Sequence, residues 1–328
     1  MSRAWHLKSR PQGIPTTENF ALKDIARPAL DEGMVRVKNL FLSVDPYMRG
    51  RMNDVKSYVP PFAIDAPLEG GAVGEVIESR DPGFSPGDTV MHMLGWRDEA
   101  IAPSSALHKL PDLGVPPQAF LGILGLTGGT AYFGLLEAAS AKAGDIVFVS
   151  AAAGAVGSAV VQIAKAKGMT VIGSAGGPEK CDYVRSLGAD QVIDYKAGPL
   201  VKSLGAAAPN GIDVYFDNVG GDHLDAALAH ARKDARFAIC GMIDSYNGGE
   251  PAVFRYIMRV IGMRIRLQGF IWTDYLGHMG DFYRDMGGWI ASGDVKSRET
   301  VVEGLEKTPE AFLGLFTGAN TGKMLIKL

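Results

Sequence analysis

The run Ala151-Ala152-Ala153-Gly154-Ala155-Val156-Gly157 is the part of this chain best suited to binding a charged ligand. It follows the apolar stretch Ile146-Val147-Phe148-Val149-Ser150 and leads into a helical pattern over 158–167. Gly154 lets the backbone approach a pair of phosphates, and Gly157 lets the following helix pack closely on the preceding strand. Ala152 stands where a first glycine usually sits. The helix start adds free N–H groups and a positive dipole end. Strand, tight turn, helix and a second strand at the right distance together make a dinucleotide site. The bland alternative is a strand–helix turn that binds nothing.

The second strand, Thr170-Val171-Ile172-Gly173-Ser174, bears on which dinucleotide. An NAD site places Asp or Glu at its end, to accept from the ribose 2′-hydroxyl. Here the strand runs into Ser174-Ala175-Gly176-Gly177, all small and uncharged. Glu179 lies further on and starts the next helix; Lys180 follows and could meet a 2′-phosphate, or be a solvated lysine of a first turn. The pattern favours NADP(H) as cofactor. Metal chemistry has no ligands to draw on. Cys181 and Cys240 are far apart, and His6, His92, His108, His223, His230 and His278 form no ligand spacing. No tyrosine is followed four residues later by lysine, which argues against a short-chain dehydrogenase.

The elements that must position these groups fall into two kinds. In the first third, Val35–Leu40 and Ala72–Glu78 alternate apolar and polar residues, and Ser85-Pro86-Gly87-Asp88 turns the chain into Thr89-Val90-Met91. Short strands with Gly/Pro punctuation predict a β-rich domain. From about Gly144 strands alternate with helices. Strands are predicted over 146–149, 170–174, 191–193, 212–216, 236–239 and 265–270, with helices over 158–167, 179–187 and 222–231. Such alternation implies a parallel sheet covered on both faces, an α/β doubly wound fold. After Gly293 one amphipathic helix and a terminal strand, 323–327, remain.

At 328 residues the chain has room for two domains, with 47% hydrophobic and 21% charged residues. A formal net charge of −3 argues against nucleic acid or an anionic membrane surface as partner. The stretch from Leu113 to Leu136 carries no charge, yet Pro116, Pro117, Gly128 and Gly129 interrupt it, so it reads as buried core. Met1–His6 lacks the apolar segment of a signal peptide, and two cysteines fit a reducing compartment, so a cytoplasmic location is expected.

Four segments, Leu42–Met52, Ser150–Ser158, Tyr215–Gly221 and Ile239–Ile243, resemble the zinc-independent medium-chain dehydrogenases and reductases. Within them the match is to the branch of leukotriene B4 dehydrogenase / 15-oxoprostaglandin reductase, curcumin reductase and the alkenal double-bond reductases. The resemblance implies a Rossmann NADP-binding domain over 125–292. It also implies a GroES-like catalytic domain split between 1–124 and 293–328. By position, Gly154, Ala155, Val156 and Gly157 would cradle the pyrophosphate, and Lys180 and Tyr195 would hold the 2′-phosphate. Asn218, Cys240, Gly241, Ile243, Tyr246, Phe270, Ile271, Trp272 and Asn320 would line the cofactor. One departure is Gly128-Gly129-Thr130, where relatives more often carry Gly-Leu-Thr; Gly129 is expected to enlarge or loosen the domain junction.

The activity implied is NADPH-dependent reduction of a carbon–carbon double bond conjugated to a ketone or aldehyde. Hydride goes to the β-carbon, and the enolate oxygen needs a hydrogen-bond donor as charge develops. Tyr47, Tyr58 and Tyr246 are the candidate catalytic donors. Tyr246 leads because it follows the loop after the fifth strand of the sheet, where ligands of doubly wound sheets bind. The cofactor's own ribose 2′-hydroxyl is its rival. Arg49 and Arg51 brace the site or reach phosphate, and Trp96 packs. A quinone reductase on the same fold, or an NADPH-binding protein without catalysis, are the competing readings. The strand over 265–270 is expected at the sheet edge, pairing with a second copy in a homodimer.

Overall fold

The structure is a computed structural model describing residues 2–248 and 250–328. The chain divides into two compact units, Met1–Leu121 with Glu299–Leu328, and Gly122–Arg298.

The first unit opens with the antiparallel pair β1 (Ser2–Leu7) and β2 (Phe20–Ile25). Its spine is β3 (Met34–Ser43), on which Val35 and Val37 are fully buried. β3 pairs antiparallel with β4 (Ala72–Ser79) on one side, and β6 (Glu99–Pro103) also pairs with it. β5 (Thr89–His92) and the short β7 (His108–Lys109) extend the sheet beyond β4. Between β3 and β4 the motif Val44–Arg51 ends in a single helical turn, α1 (Met48–Arg51). Trp96 is buried, stacked on Phe20 at 5.7 Å.

The second unit is a six-stranded, all-parallel sheet. Its strands are β8 (Ile146–Val149), β9 (Thr170–Ala175), β10 (Gln191–Asp194), β11 (Ile212–Asp217), β12 (Ala231–Ile239) and β13 (Arg266–Gly269). The spatial order is β10-β9-β8-β11-β12-β13, a doubly wound order that reverses between β8 and β11. The helices are α2 (Leu126–Phe133), α3 (Ala155–Ala166), α4 (Pro178–Ser186), α5 (Leu200–Ala207), α6 (Gly221–His230), α7 (Arg259–Met263) and α8 (Met279–Ser292). In the sheet's core Phe148 stacks on Tyr215, which meets Phe237 edge to face.

The chain then returns to the first unit. β14 (Glu299–Glu303) pairs parallel with β15 (Lys323–Lys327), which lies antiparallel to β3, and α9 (Thr308–Thr317) joins the two strands. Phe312 of α9 meets Trp96 edge to face.

Besides shifts of one to three residues at several helix and strand ends, three differences from the sequence reading concern the architecture. β12 starts at Ala231 rather than Arg236, because Ala231 still pairs with Ile212 before the strand bulges through Asp234, which has φ +65°. The first boundary falls at 121/122 rather than after 124, since Leu121 packs with Val73 and Leu325 in the first unit. The second falls at 298/299 rather than after 292. There the buried side chain of Gln162 donates to the Lys296 carbonyl and accepts from its N–H, tying the intervening segment to the sheet unit. The uncharged stretch is core: Phe120, Leu124, Phe133 and Leu135 are buried. Among the described residues no helix is long and apolar enough to cross a membrane.

Candidate functional site

At the C-terminal end of β8 the chain turns through Ala151, whose φ is +47°. Gly154 caps α3 with extended backbone and no side-chain bond, so the first N–H groups of α3 have no capping side chain. A Cβ at Gly157 would lie 2.2 Å from the Ala151 carbonyl oxygen, so only glycine lets helix and strand approach this closely. The methyl of Ala152, which replaces a glycine of the fingerprint, is accommodated from the neighbouring strand. A Cβ at Gly173 would lie 3.0 Å from it, so the glycine on β9 makes the space that the alanine on the turn occupies.

The ends of β9 and β10 form a basic corner. A Cβ at Gly176 would meet the Tyr195 hydroxyl at 2.7 Å and Lys196 Cε at 2.9 Å. No acidic side chain fits at Gly176. Asp194, at the end of β10, is turned to the backbone: its Oδ1 accepts from Gly177 N–H and Lys196 N–H, each at 3.0 Å. These bonds hold it below the usual carboxylate range. Burial, with Lys196 nearby, lowers the Lys180 ammonium from its ordinary value. Two lysines and a tyrosine hydroxyl therefore lie together at the ends of these two strands. Sequence reasoning named Lys180 and Tyr195 but missed Lys196, whose signal was its place directly after Tyr195 at the exit of a predicted strand.

At the ends of β11 and β12, Asn218 is locked to β8: its side-chain amide donates to the Ser150 carbonyl and its backbone N–H to Ser150 Oγ, both at 2.8 Å. The fully buried Asp217 accepts from Tyr215 Oη and from the N–H groups of Val219 and Gly220. Burial still raises its carboxyl above the ordinary value. Burial likewise pushes the Cys240 thiol up to about 12, helped by Asp217, so this sulfur is no nucleophile near neutral pH. The backbone N–H groups of Cys240 and Gly241 both donate to the Asp217 carbonyl. Tyr246 folds back under this loop, and its hydroxyl accepts the Met242 N–H at 3.3 Å. A Cβ at Gly241 would stand 2.8 Å from that hydroxyl. Ile243 opens the short helical turn that leads to Tyr246.

Beyond β13, Phe270 lies against Phe216 and fills the space left by Gly134, where a Cβ would be 2.3 Å from its ring. Ile271 is partly buried and introduces Trp272. The Trp272 indole covers Gly129, where a Cβ would be 3.0 Å from Trp272 Cε3. The space expected to loosen the chain at Gly129 is thus taken up by an aromatic ring of the same unit. Gly128 has no freedom either, since a Cβ there would overlap the Ile123 carbonyl.

Tyr47, Tyr58 and Asn320 belong to the other unit. Tyr47 is partly buried, and burial together with Asp45 raises its hydroxyl well above the ordinary value, so it stays protonated. Tyr58 is exposed. The Asn320 side chain donates to the Gly322 carbonyl at 2.7 Å. Arg49 and Arg51 are buried braces: Arg49 donates to Asn53 and to the Gly13 carbonyl, while Arg51 donates to the Pro60 carbonyl and Glu69 and lies 4.0 Å from the Phe62 ring centre.

Comparison with known proteins agrees with this geometry. Residues 3–110 match the N-terminal domain of oxidoreductases, and residues 155–291 match the zinc-binding dehydrogenase family. The zinc in that description belongs to the wider family; among the described residues no group of three His, Cys, Asp or Glu could hold a metal ion. The chain is 43% identical to the NADPH-dependent curcumin reductase of Escherichia coli (strain K12), over 100% of this chain and 97% of that protein. It is also 43% identical to the NADP(+)-dependent 2-alkenal reductase of Nicotiana tabacum, over 98% and 95%. CurA from Vibrio vulnificus in complex with NADPH superposes with a TM-score of 0.94 at 44% identity, over 99% of this chain and 98% of that one. The chain belongs to the zinc-independent medium-chain dehydrogenases and reductases, in the branch of the curcumin, alkenal and prostaglandin reductases.

Proposed function

We propose that this chain reduces the carbon–carbon double bond of α,β-unsaturated ketones and aldehydes with NADPH. The observation that carries the cofactor is the corner made by Lys180, Tyr195 and Lys196, with Gly176 where an acid would otherwise stand. Two neighbouring cations beside a tyrosine hydroxyl and small, uncharged residues fit a doubly charged phosphate. The names of the relatives, a curcumin reductase and a 2-alkenal reductase, both using NADP, support the substrate class.

In this reading the turn from Gly154 through Ala155 and Val156 to Gly157 holds the pyrophosphate on the start of α3. Asn218, Cys240, Gly241, Ile243, Phe270, Ile271, Trp272 and Asn320 line the remainder of the cofactor. NADPH, when bound, supplies the hydride. The chain's own part is to orient and to donate. Tyr246, its oxygen held by the Met242 N–H, gives a hydrogen bond to the enolate oxygen as charge develops. Tyr47 and Tyr58 are the other donors to weigh, and the cofactor's ribose 2′-hydroxyl is the alternative to all three.

The assembly proposed is a homodimer. β13 is an edge strand whose residues are all exposed. Nearby in sequence, Met258 and Ile261 expose most of their side chains. A second copy continuing the sheet would cover both. A cytoplasmic location is supported by Cys181 and Cys240, which are both free thiols. The test of the activity is NADPH consumption across a panel of alkenals, aryl enones and quinones, with product structures determined. Saturated ketones and aldehydes are the expected products. Turnover confined to quinones would replace this reading with a quinone reductase.

A further inference from the structure

His223, near the start of α6, is a buried histidine that the cofactor and catalytic roles above leave unused. Its Nε2 lies 3.0 Å from Oγ of Ser174, itself fully buried at the end of β9. Its ring is nearly parallel to that of Phe148 on β8, 10° apart with centroids at 6.5 Å. On another side it meets the Tyr195 ring edge to face, at 5.2 Å and 72°. Tyr195 needs such support. It follows β10 directly, exposes 41% of its surface, and its hydroxyl must stay beside Gly176 to complete the basic corner.

We propose that His223 is a positioning residue for recognition of the 2′-phosphate: tied to Ser174 and stacked on Phe148, its ring fixes the Tyr195 ring, and so the Tyr195 hydroxyl. The inference rests on the NADPH reading and deepens it. The discriminating surface is then a line of side chains from the sheet's centre outward, Phe148 to His223 to Tyr195. Burial keeps the imidazole neutral near pH 7, with its pKa down at about 4. The ring therefore adds no charge to the corner and acts through shape alone. What it confers on the ligand is selectivity for an adenosine carrying a 2′-phosphate over one lacking it.

The experiment compares adenosine 2′,5′-bisphosphate with 5′-AMP by calorimetry, on the unmodified protein and two crossed variants. His223→Phe keeps a ring under Tyr195 and loses the Ser174 bond; His223→Gln keeps a polar partner for Ser174 and loses the ring. An edge-to-face ring pair corresponds to about a three- to tenfold change in binding. His223→Gln should lower the preference for the bisphosphate by that factor, with 5′-AMP binding unchanged, and His223→Phe should retain it. In a Tyr195→Ala background His223→Gln should change nothing further. Equal weakening of both nucleotides, loss of preference in His223→Phe alone, or an undiminished effect without Tyr195 overturns the proposal. Absence of any preference in the unmodified protein is a different result, and would remove the NADPH reading itself.

Discussion

Lys323 Nζ lies 2.7 Å from Asp45 Oδ1, and both side chains are buried. The same ammonium donates to the Val44 carbonyl at 2.9 Å, and Ser43 Oγ donates to the other carboxylate oxygen. The pair joins the last strand, β15, to the turn that carries Tyr47. Removing one partner leaves a buried charge alone, at a cost of about 3–5 kcal/mol. Lys323→Ala should lower the stability of the first unit by that amount in urea unfolding, followed through the buried Trp96. Asp45→Asn with Lys323→Met, which removes both charges, should cost markedly less. A double variant as unstable as the single one would show that the pair does not behave as a coupled unit.

Cofactor preference depends on the basic corner. A charge-assisted bond to phosphate is worth about 1.5–3 kcal/mol, roughly tenfold to a hundredfold in KM. Lys180→Ala and Lys196→Ala should each raise the KM for NADPH on this scale and leave that for NADH little changed. Gly176→Ala should act in the same direction, because its methyl would press on the Tyr195 hydroxyl and Lys196. Equal use of NADPH and NADH by the unmodified chain contradicts this assignment.

Much of this site was legible beforehand. The strand–turn–helix run around Gly154 and the lack of an acid after Ser174 are local signals, because spacing along one strand and one turn carries them. The strands over 146–149 and 323–327 were read to the residue for the same reason. Relations across the sheet were not legible. That Gly173 makes room for Ala152, that Trp272 fills the space over Gly129, and that His223 supports Tyr195 all depend on neighbours distant in sequence. No periodicity encodes such lateral contacts. The start of β12 was missed because Asp234 adopts a left-handed backbone that its local pattern does not announce.

Tyr246→Phe tests the donor. Loss of one hydrogen bond made only as the enolate forms costs about 2.7–4 kcal/mol, a hundredfold or more in rate. We expect kcat and kcat/KM to fall together, as when an interaction of the transition state alone is lost. Tyr47→Phe and Tyr58→Phe should do less in the same single-turnover measurement. Hydride transfer at the unmodified rate in Tyr246→Phe would assign the role to the cofactor ribose.

The edge strand gives a fourth measurement. A charged side chain at Leu267 or Ile261 should dissociate the proposed dimer, so Leu267→Lys with Ile261→Lys should sediment as a monomer while the unmodified chain sediments as a dimer. A monomer from the unmodified chain at micromolar concentration, roughly the range of weak association, rules the dimer out.

Stability should fall on mild acidification. Burial lowers both His92 and His223 to about 4, against about 6.5 for an exposed histidine. Between these values the unfolded chain binds protons that the folded chain refuses, so the histidines' contribution to stability decreases as pH falls from 6.5 towards 4 and levels off below. Each histidine contributes on the order of 3 kcal/mol across that window. Urea midpoints measured from pH 7 to 4 should show the slope, and His223→Phe should flatten it for the sheet unit. An unchanged slope in that variant would mean that other groups govern acid sensitivity.

β15 lies between β14 and β3, so the last six residues complete a sheet begun before residue 45. During synthesis the end of β3, Phe41–Ser43, must wait for its β15 partner until the entire second unit has left the ribosome. The sheet unit is a single continuous stretch and can fold first, while the unit carrying Tyr47 stays unfinished. Nascent chains stalled before Lys323 would therefore present a folded nucleotide-binding unit attached to an open β edge, which is the form a chaperone or protease would meet.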